Sequence, residues 1–416
     1  MTQRIQPIRG IKDLITDELM SYKEIIEISS ELVKLYGYNE ILLPIIEYSS
    51  VFLRTLGESS DIVNKETYTF SDRDKRTITL RPEFTAAMVR AVISNGLTQT
   101  MPQRFFTYGP LFRHERPQQG RNRQFNQFDC ELFGISSPLA DVEIIHILNE
   151  ILKKLNLNYE IEINTLGDTE SSENYNKALI KYLTQYQSKL SKISQERLQK
   201  NPLRVLDSKE EEDIEIVKNA PIIFDYINQA SLDHYSAVCD GLSSLNIHYI
   251  QNPRLVRGLD YYTHTVFEVS TSKLGSQKAI AAGGRYDHLV ENMGNGQSVP
   301  AVGFALGIDR VQLLTSFQEK KQNICYLIPI GDNAELHAIN LANELRNKGI
   351  AVRIDYALST KKRLKIANRD NMNICVIFGE DEIKNNEYIL RHMSKSKEEK
   401  VHIEEIDEII LQYLNE

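Results

Sequence analysis

Tryptophan is absent from the 416 residues, and cysteine occurs four times, at Cys130, Cys239, Cys325 and Cys375. The cysteines are widely scattered and form neither CxxC pairs nor a Cys/His cluster, which argues against zinc and against a disulfide framework. No protein-built metal site is expected. No uninterrupted apolar run approaches the roughly 20 residues needed to cross a bilayer, and the opening MTQRIQPIRGIKD lacks an apolar core of signal-peptide type. The expectation is a cytoplasmic protein without a membrane partner. The formal charge of −8 offers no general attraction to nucleic acid, but net charge describes the long-range field and leaves a local basic patch open. What is present is ordinary, 41% hydrophobic and 25% charged, and long enough for two or three domains.

The stretch from Arg104 to Gly134 departs from the ordinary. Phe105, Phe106, Tyr108, Leu111 and Phe112 give a first arm strand propensity, and Phe125, Phe128, Cys130, Leu132 and Phe133 give a second. A long β-hairpin follows, with a basic loop between its arms. Alternation puts Arg113 and Glu115 on one side, and Gln127, Asp129 and Glu131 on one side of the returning arm, whose other side is apolar. A face that served only a core would not carry these groups, since each buried ion needs a partner. A pocket explains them, and the guanidinium forks of Arg116, Arg121 and Arg123 beside Gly120 suit phosphate oxygens.

On either side of this hairpin the chain reads as scaffold. Thr16 is the expected N-cap of an amphipathic helix with Leu19, Tyr22, Ile25, Ile28, Leu32 and Leu35 at helical spacing. It leads into NEILLPIIEYSS, where Pro44 marks an edge strand or bulge. ETYTF and TITLRPEF form a second hairpin around SDRDKR, and Pro82 leads into the helix EFTAAMVRAVIS, with Glu83 and Thr85 at its start. Ser137 and Pro138 open a helix, followed by the alternating strand YEIEINT. From about 168 to 235 the sequence is polar and helical, with Lys192, Arg197, Lys200 and Arg204 open to a phosphate backbone or, as charge runs usually are, a plain solvated face. LDYYTHTVFEV then reads as one strand with Asp260, Tyr262 and His264 sharing a face, and Gly258 as a sharp backbone feature. AIAAGGRYDHLV offers Gly283 and Gly284 for close approach of a ligand, and Tyr286 opening a helix. SVPAVGFALGIDRVQLL runs strand into helix, placing Arg310 in a first turn where it needs a negative partner. Residues 318–322 read as a linker. Beyond them βαβαβ alternation indicates a small α/β domain of mostly parallel order.

The order of these motifs is informative. FRHERP followed by a short loop and RQFNQFDCE resembles motif 2 of class II aminoacyl-tRNA synthetases in the histidyl-tRNA synthetase form. The helix–strand–proline segment before it resembles motif 1, and GFALGIDR resembles motif 3. RLVRGLDYYTHTVFEVS and AAGGRYD resemble the two histidine-specific peptides of that family. Two departures stand out, Phe84 where the family usually has a small residue and His288 where glycine is common.

The resemblance implies an α+β catalytic domain on an antiparallel sheet over 1–322, with a helical insertion at about 168–235, and an anticodon-binding α/β domain over 323–416. It implies activation of L-histidine by ATP with Mg2+, and transfer to the 3′ end of tRNA(His) by a homodimer. Arg257 and Arg113 are the implied catalytic residues. Glu83, Thr85, Gln127, Glu131, Tyr261 and Tyr262 join them around histidine, and Arg113, Glu115, Arg121 and Arg310 hold ATP. In the C-terminal domain Lys361, Lys362, Arg363, Lys365 and Arg369 face RNA or plain solvent. The alternative, a non-catalytic synthetase-like regulator of histidine biosynthesis, would lack the C-terminal domain.

Overall fold

Strand alternation in the long hairpin sets the whole first unit. The computed structural model describes residues 5–56, 66–275, 278–315, 324–393 and 397–415, and these divide into two units at position 317/318. In chain order the strands of the first are β1 (Asn39–Glu40), β2 (Ile46–Tyr48), β3 (Tyr68–Ser71), β4 (Thr77–Leu80), β5 (Gln103–Phe112), β6 (Gln124–Phe133), β7 (Glu160–Thr165), β8 (Ile250–Gln251), β9 (Thr263–Ser270), β10 (Ala279–Arg285) and β11 (Ala301–Gly307). Eight of them form one sheet in the order β1-β5-β6-β11-β10-β9-β7-β8. The interior pairings are antiparallel, and only the short edge strands β1 and β8 run parallel to their neighbours.

One face of this sheet is apolar because the odd and even positions of its strands were sorted that way. Phe128, Cys130 and Leu132 of β6 join Phe304 and Leu306 of β11 beneath helices Thr16–Leu35, Pro138–Lys154 and Gln229–Ser244. Ser137 caps the second of these helices by accepting a hydrogen bond from the Leu139 N–H. Thr16 caps nothing: it is the first helical residue, at φ 45°, and Ile15 precedes it without a side-chain bond. The helix also turns Leu35 outward, 79% exposed, and buries Val33 instead.

The opposite face stays polar over Gln127, Asp129 and Glu131, and is flanked by a second core around helix Thr85–Ser94. A small sheet in the order β2-β4-β3 leads into that helix. Arg81 fixes the approach, donating from Nε to the Pro110 carbonyl (3.0 Å) and from Nη1 to the Leu43 carbonyl (2.7 Å). Phe84 fits this setting: it is fully buried and the Arg81 guanidinium stacks 4.5 Å above its ring centroid.

Helices Thr169–Thr184, Lys192–Lys200 and Glu211–Val217 have a core of their own, built on Tyr175, Leu179, Leu198 and Val205. Asp213 locks it together, accepting from the Ser191, Ser194 and Ser208 hydroxyls at 2.6 Å each.

The second unit contains β12 (Ile324–Pro329), β13 (Ala351–Ile354), β14 (Ile374–Phe378), β15 (Glu387–His392) and β16 (Lys397–His402) in the order β13-β12-β14-β15-β16. Only β13, β12 and β14 are parallel; β15 and β16 return antiparallel, so the sheet is mixed rather than mostly parallel. The helix between β14 and β15 is a single short one, Glu380–Lys384, and the chain returns antiparallel after it instead of crossing over to a parallel position. Arg363 departs from the expected basic surface. It is 3% exposed and binds the Asp355 and Pro329 carbonyls and Glu335, whereas Lys361, Lys362, Lys365 and Arg369 are exposed. The expected linker at 318–322 lies outside the described residues.

Candidate active site

The polar face of β6 forms the floor of a cavity of about 550 Å³. Glu131 is its centre. Thr85 donates to Oε1 (2.7 Å) and Tyr286 donates to Oε2 (2.5 Å), so both oxygens are aimed. The room for this carboxylate comes from Gly303 on β11, opposite Glu131 in register, where a Cβ would sit 1.5 Å from Glu131 Oε2. Burial pushes the Glu131 carboxyl up to about 8, against the pull of the Tyr286 and Thr85 hydrogen bonds. Glu83 is also buried, and its Oε1 accepts from the Ala86 N–H (2.8 Å) at the start of helix Thr85–Ser94. It is therefore a helix cap and a cavity wall at once. The Tyr261 and Tyr262 rings close one side, 4.6 Å apart between centroids.

Several guanidinium groups line the rest of the wall, among acids, amides and small apolar residues. Arg113 donates from Nε to the Pro82 carbonyl (2.9 Å) and lies 5.1 Å from the Phe125 ring centroid. Burial holds its pKa below the ordinary value despite Glu66 and Glu83. Arg310 donates to the carbonyls of Gly120 (2.9 Å) and Ala279 (2.5 Å). Burial lowers its pKa too, and Arg121 and Arg113 add to the effect. Arg257 pairs with Glu268 at 2.5 Å; burial opposes its charge, and Glu268 more than offsets that. Arg121 makes a close ion pair with Glu115. Cations crowded enough to disfavour one another make a site for a polyanion.

Glu83, Thr85, Arg113, Glu115, Arg121, Gln127, Glu131, Arg257, Tyr261, Tyr262 and Arg310 thus all line one cavity. Other expectations need correction. Arg113 and Glu115 lie beyond the end of β5, so the loop and not strand alternation aims them. Arg116 is exposed, and Arg123 turns back to the Glu115 carbonyl (3.3 Å), so neither joins the cavity. The strand beginning at Leu259 starts instead at Thr263, because residues 257–262 form a bend and turn. Asp260, Tyr262 and His264 consequently share no face: Asp260 meets Asn201 (2.5 Å), Tyr262 lines the cavity, and His264, at φ 45°, stacks on His234 (4.7 Å). Gly258 does sit in that bend, at a φ that is not positive. Gly283 and Gly284 admit neighbours rather than a ligand, since a Cβ would collide with the Gly303 carbonyl (2.1 Å) and the Thr265 carbonyl (2.6 Å) respectively. His288 is on the surface, 3.3 Å from the Thr169 hydroxyl.

Several contributors carry no local signal. Tyr286, just before the helix it was expected to open, holds Glu131 from 155 positions away. Its neighbour Arg285 is fully buried and anchored by Asp141, Asp287 and the carbonyls of Ile135 (3.0 Å) and Ser137 (3.2 Å). The polar helical segment places Ile193, Arg197, Arg204, Asp207 and Lys209 on the cavity rim, while Lys192 and Lys200 are not among the lining residues.

Comparison with known proteins gives a consistent picture. The family model for histidyl-tRNA synthetase matches residues 10–311, and that for an anticodon binding domain matches residues 324–413. Histidine–tRNA ligase of Wolbachia pipientis subsp. Culex pipiens (strain wPip) is 48% identical over 398 residues, 95% of this chain and 97% of that protein. The Ehrlichia canis (strain Jake) ligase is 47% identical over 400 residues, 96% of each. The crystal structure of apo Staphylococcus aureus histidyl-tRNA synthetase superposes with a TM-score of 0.82 at 31% identity, covering 98% of this chain and 100% of the other.

Proposed function

Since the chain belongs to the histidyl-tRNA synthetase family and is a histidine–tRNA ligase, we propose that the arginine-lined cavity above β6 performs both steps of that reaction. The observation that carries this reading is the Glu131 carboxylate, aimed by Thr85 and Tyr286 in the floor of a cavity whose lining also includes the guanidinium groups of Arg113, Arg121, Arg257 and Arg310. A polar floor for a small cationic substrate and a basic wall for a triphosphate are what the first step requires.

Histidine enters with its ring toward Glu131 and Tyr262, which bond the two imidazole nitrogens. A substrate lacking them leaves buried polar groups unpaired, and this rejects other amino acids. Glu83 and Thr85 take the α-ammonium, with Gln127 beside them and Tyr261 packing against the ring. Arg113 and Arg257 bracket the substrate carboxylate and the α-phosphate of ATP. Arg310 holds the γ-phosphate, while Glu115 and Arg121 hold the adenine and phosphate end.

A histidine carboxylate oxygen attacks the α-phosphorus, the bond to the bridging oxygen breaks, and pyrophosphate leaves. The negative charge that grows on the α-phosphoryl oxygens meets Arg113 and Arg257 already in place. Positioning and charge do the work, and no general base is assigned. A hydroxyl of the terminal adenosine of tRNA(His) then attacks the adenylate carbonyl and releases AMP.

Mg2+ would reach the cavity with ATP. An ion of that kind is held mainly by phosphate oxygens and one or two carboxylates. Glu268 and Asp207, beside Arg257, are the oxygen donors of that kind. Mg2+ supplies charge neutralisation on the phosphates.

A cytoplasmic homodimer completes the reading. Leu42 (80%), Ile46 (48%) and Tyr48 (50%) are exposed around Pro44, an apolar strip suited to a second copy. Residues 324–413, matching an anticodon-binding domain, favour the ligase over the regulator. The chain, given ATP, histidine and tRNA(His), is expected to accumulate histidyl-tRNA in a charging assay; adenylate formation without charging would contradict the second step.

A further inference from the structure

Asp129 sits on the cavity floor between Gln127 and Glu131, on the same face of β6. Its side chain is 1% exposed, and among the described residues its Oδ1 has no hydrogen-bond partner. The neighbouring acids differ in this respect. Glu131 receives Thr85 and Tyr286, and Glu83 receives the Ala86 N–H. The nearby cations act on it through charge but form no hydrogen bond to Oδ1: Arg81 donates to the Pro110 and Leu43 carbonyls, and Arg113 donates from Nε to the Pro82 carbonyl. A carboxyl oxygen buried without a donor is costly unless a ligand supplies one.

The missing donor has a definite chemistry. Phosphate oxygens accept and repel a carboxylate, so the triphosphate does not supply it. Two residues along a strand span about 6.6 Å, comparable with the reach of a histidine molecule from ring to amine. With the ring on Glu131, the amine falls near Asp129. We propose that Asp129 is a specificity-determining residue that receives the α-ammonium of histidine alongside Glu83. This rests on the histidine-activating reading of the cavity.

The electrostatics agree. Burial, Glu131 and Glu83 all push the Asp129 carboxyl well above the usual carboxylate range, while Arg113 and Arg81 pull it down. In the empty cavity the carboxyl therefore resists ionisation, and a cation placed beside it relieves that resistance. The bound ammonium favours the carboxylate form of Asp129, whose oxygen accepts an N–H from it.

The test is Asp129→Asn in histidine-dependent ATP–pyrophosphate exchange, with inhibition by imidazolepropionate, which has the ring and carboxylate of histidine but no amine. The variant is expected to raise the histidine KM about ten- to a hundredfold, leave the ATP KM within about twofold, and leave the imidazolepropionate Ki unchanged. If D129N does not fold, Asp129→Ser carries the same expectations. An unchanged histidine KM, or equal weakening of histidine and imidazolepropionate, overturns the proposal and leaves the activity standing. Absence of histidine-dependent exchange in the parent overturns both.

Discussion

Arg257→Ala lowers histidine-dependent pyrophosphate exchange by about 10²- to 10³-fold, the loss found when one preorganised donor to a developing oxyanion is removed. The side chain combines burial with a firm charge. Glu268 holds its Nη1 at 2.5 Å, while Nε has no partner among the described residues, so part of the fork is left for a ligand. The loss belongs in kcat more than in either KM, since the charge it answers grows only on the way to the transition state. Folding is unaffected to first order, because Glu268 is 30% exposed and water can replace the arginine. Single-turnover adenylate formation and size-exclusion chromatography separate the two effects. Unchanged activation by a folded variant would remove Arg257 from the reaction.

Glu131→Gln is the second large effect, and it acts oppositely on activity and on stability. The amide keeps the shape but loses the charge that accepts an imidazole N–H, so the histidine KM rises about 10²-fold or more. Stability moves the other way. The folded-state pKa is about 8, raised by burial from the usual 4.5, so the folded chain prefers the proton. Ionisation costs the folded state nothing below about pH 4.5, and the cost grows as pH rises toward about 8. Without ligand, the Tm of the variant relative to its parent should therefore climb between about pH 5 and 8. Denaturation followed across that range checks the sign; a difference flat with pH would mean the parent carboxylate is ionised without penalty.

What the sequence made legible was set by local periodicity. Alternation in β6 was sufficient to place Gln127, Asp129 and Glu131 on one face, and helical spacing identified the helix Pro138–Lys154 with its Ser137 cap. The family motifs named residues that the fold gathers around one cavity. What was not legible depends on register between distant strands. Nothing near Gly303 announces that it clears space for Glu131, and nothing near Tyr286 announces its bond to the same carboxylate. The buried pair of Arg285 with Asp141 spans 144 positions and looks like two surface charges in the sequence. LDYYTHTVFEV misled because tyrosine and threonine favour strands wherever they occur, so the turn over 257–262 was hidden. The polar run at 192–210 looked solvated because composition reports average exposure, and cannot say which end of a helix overhangs a cavity.

The most direct measurement is ATP–pyrophosphate exchange by the purified chain with each of the twenty amino acids in turn. Exchange is expected with histidine, and at most about 10⁻⁴ of that rate with any other amino acid, because the Glu131 and Tyr262 groups would be left unpaired. Exchange with a different amino acid would contradict the assignment of the cavity floor. A folded chain that exchanges with none would contradict the catalytic reading altogether.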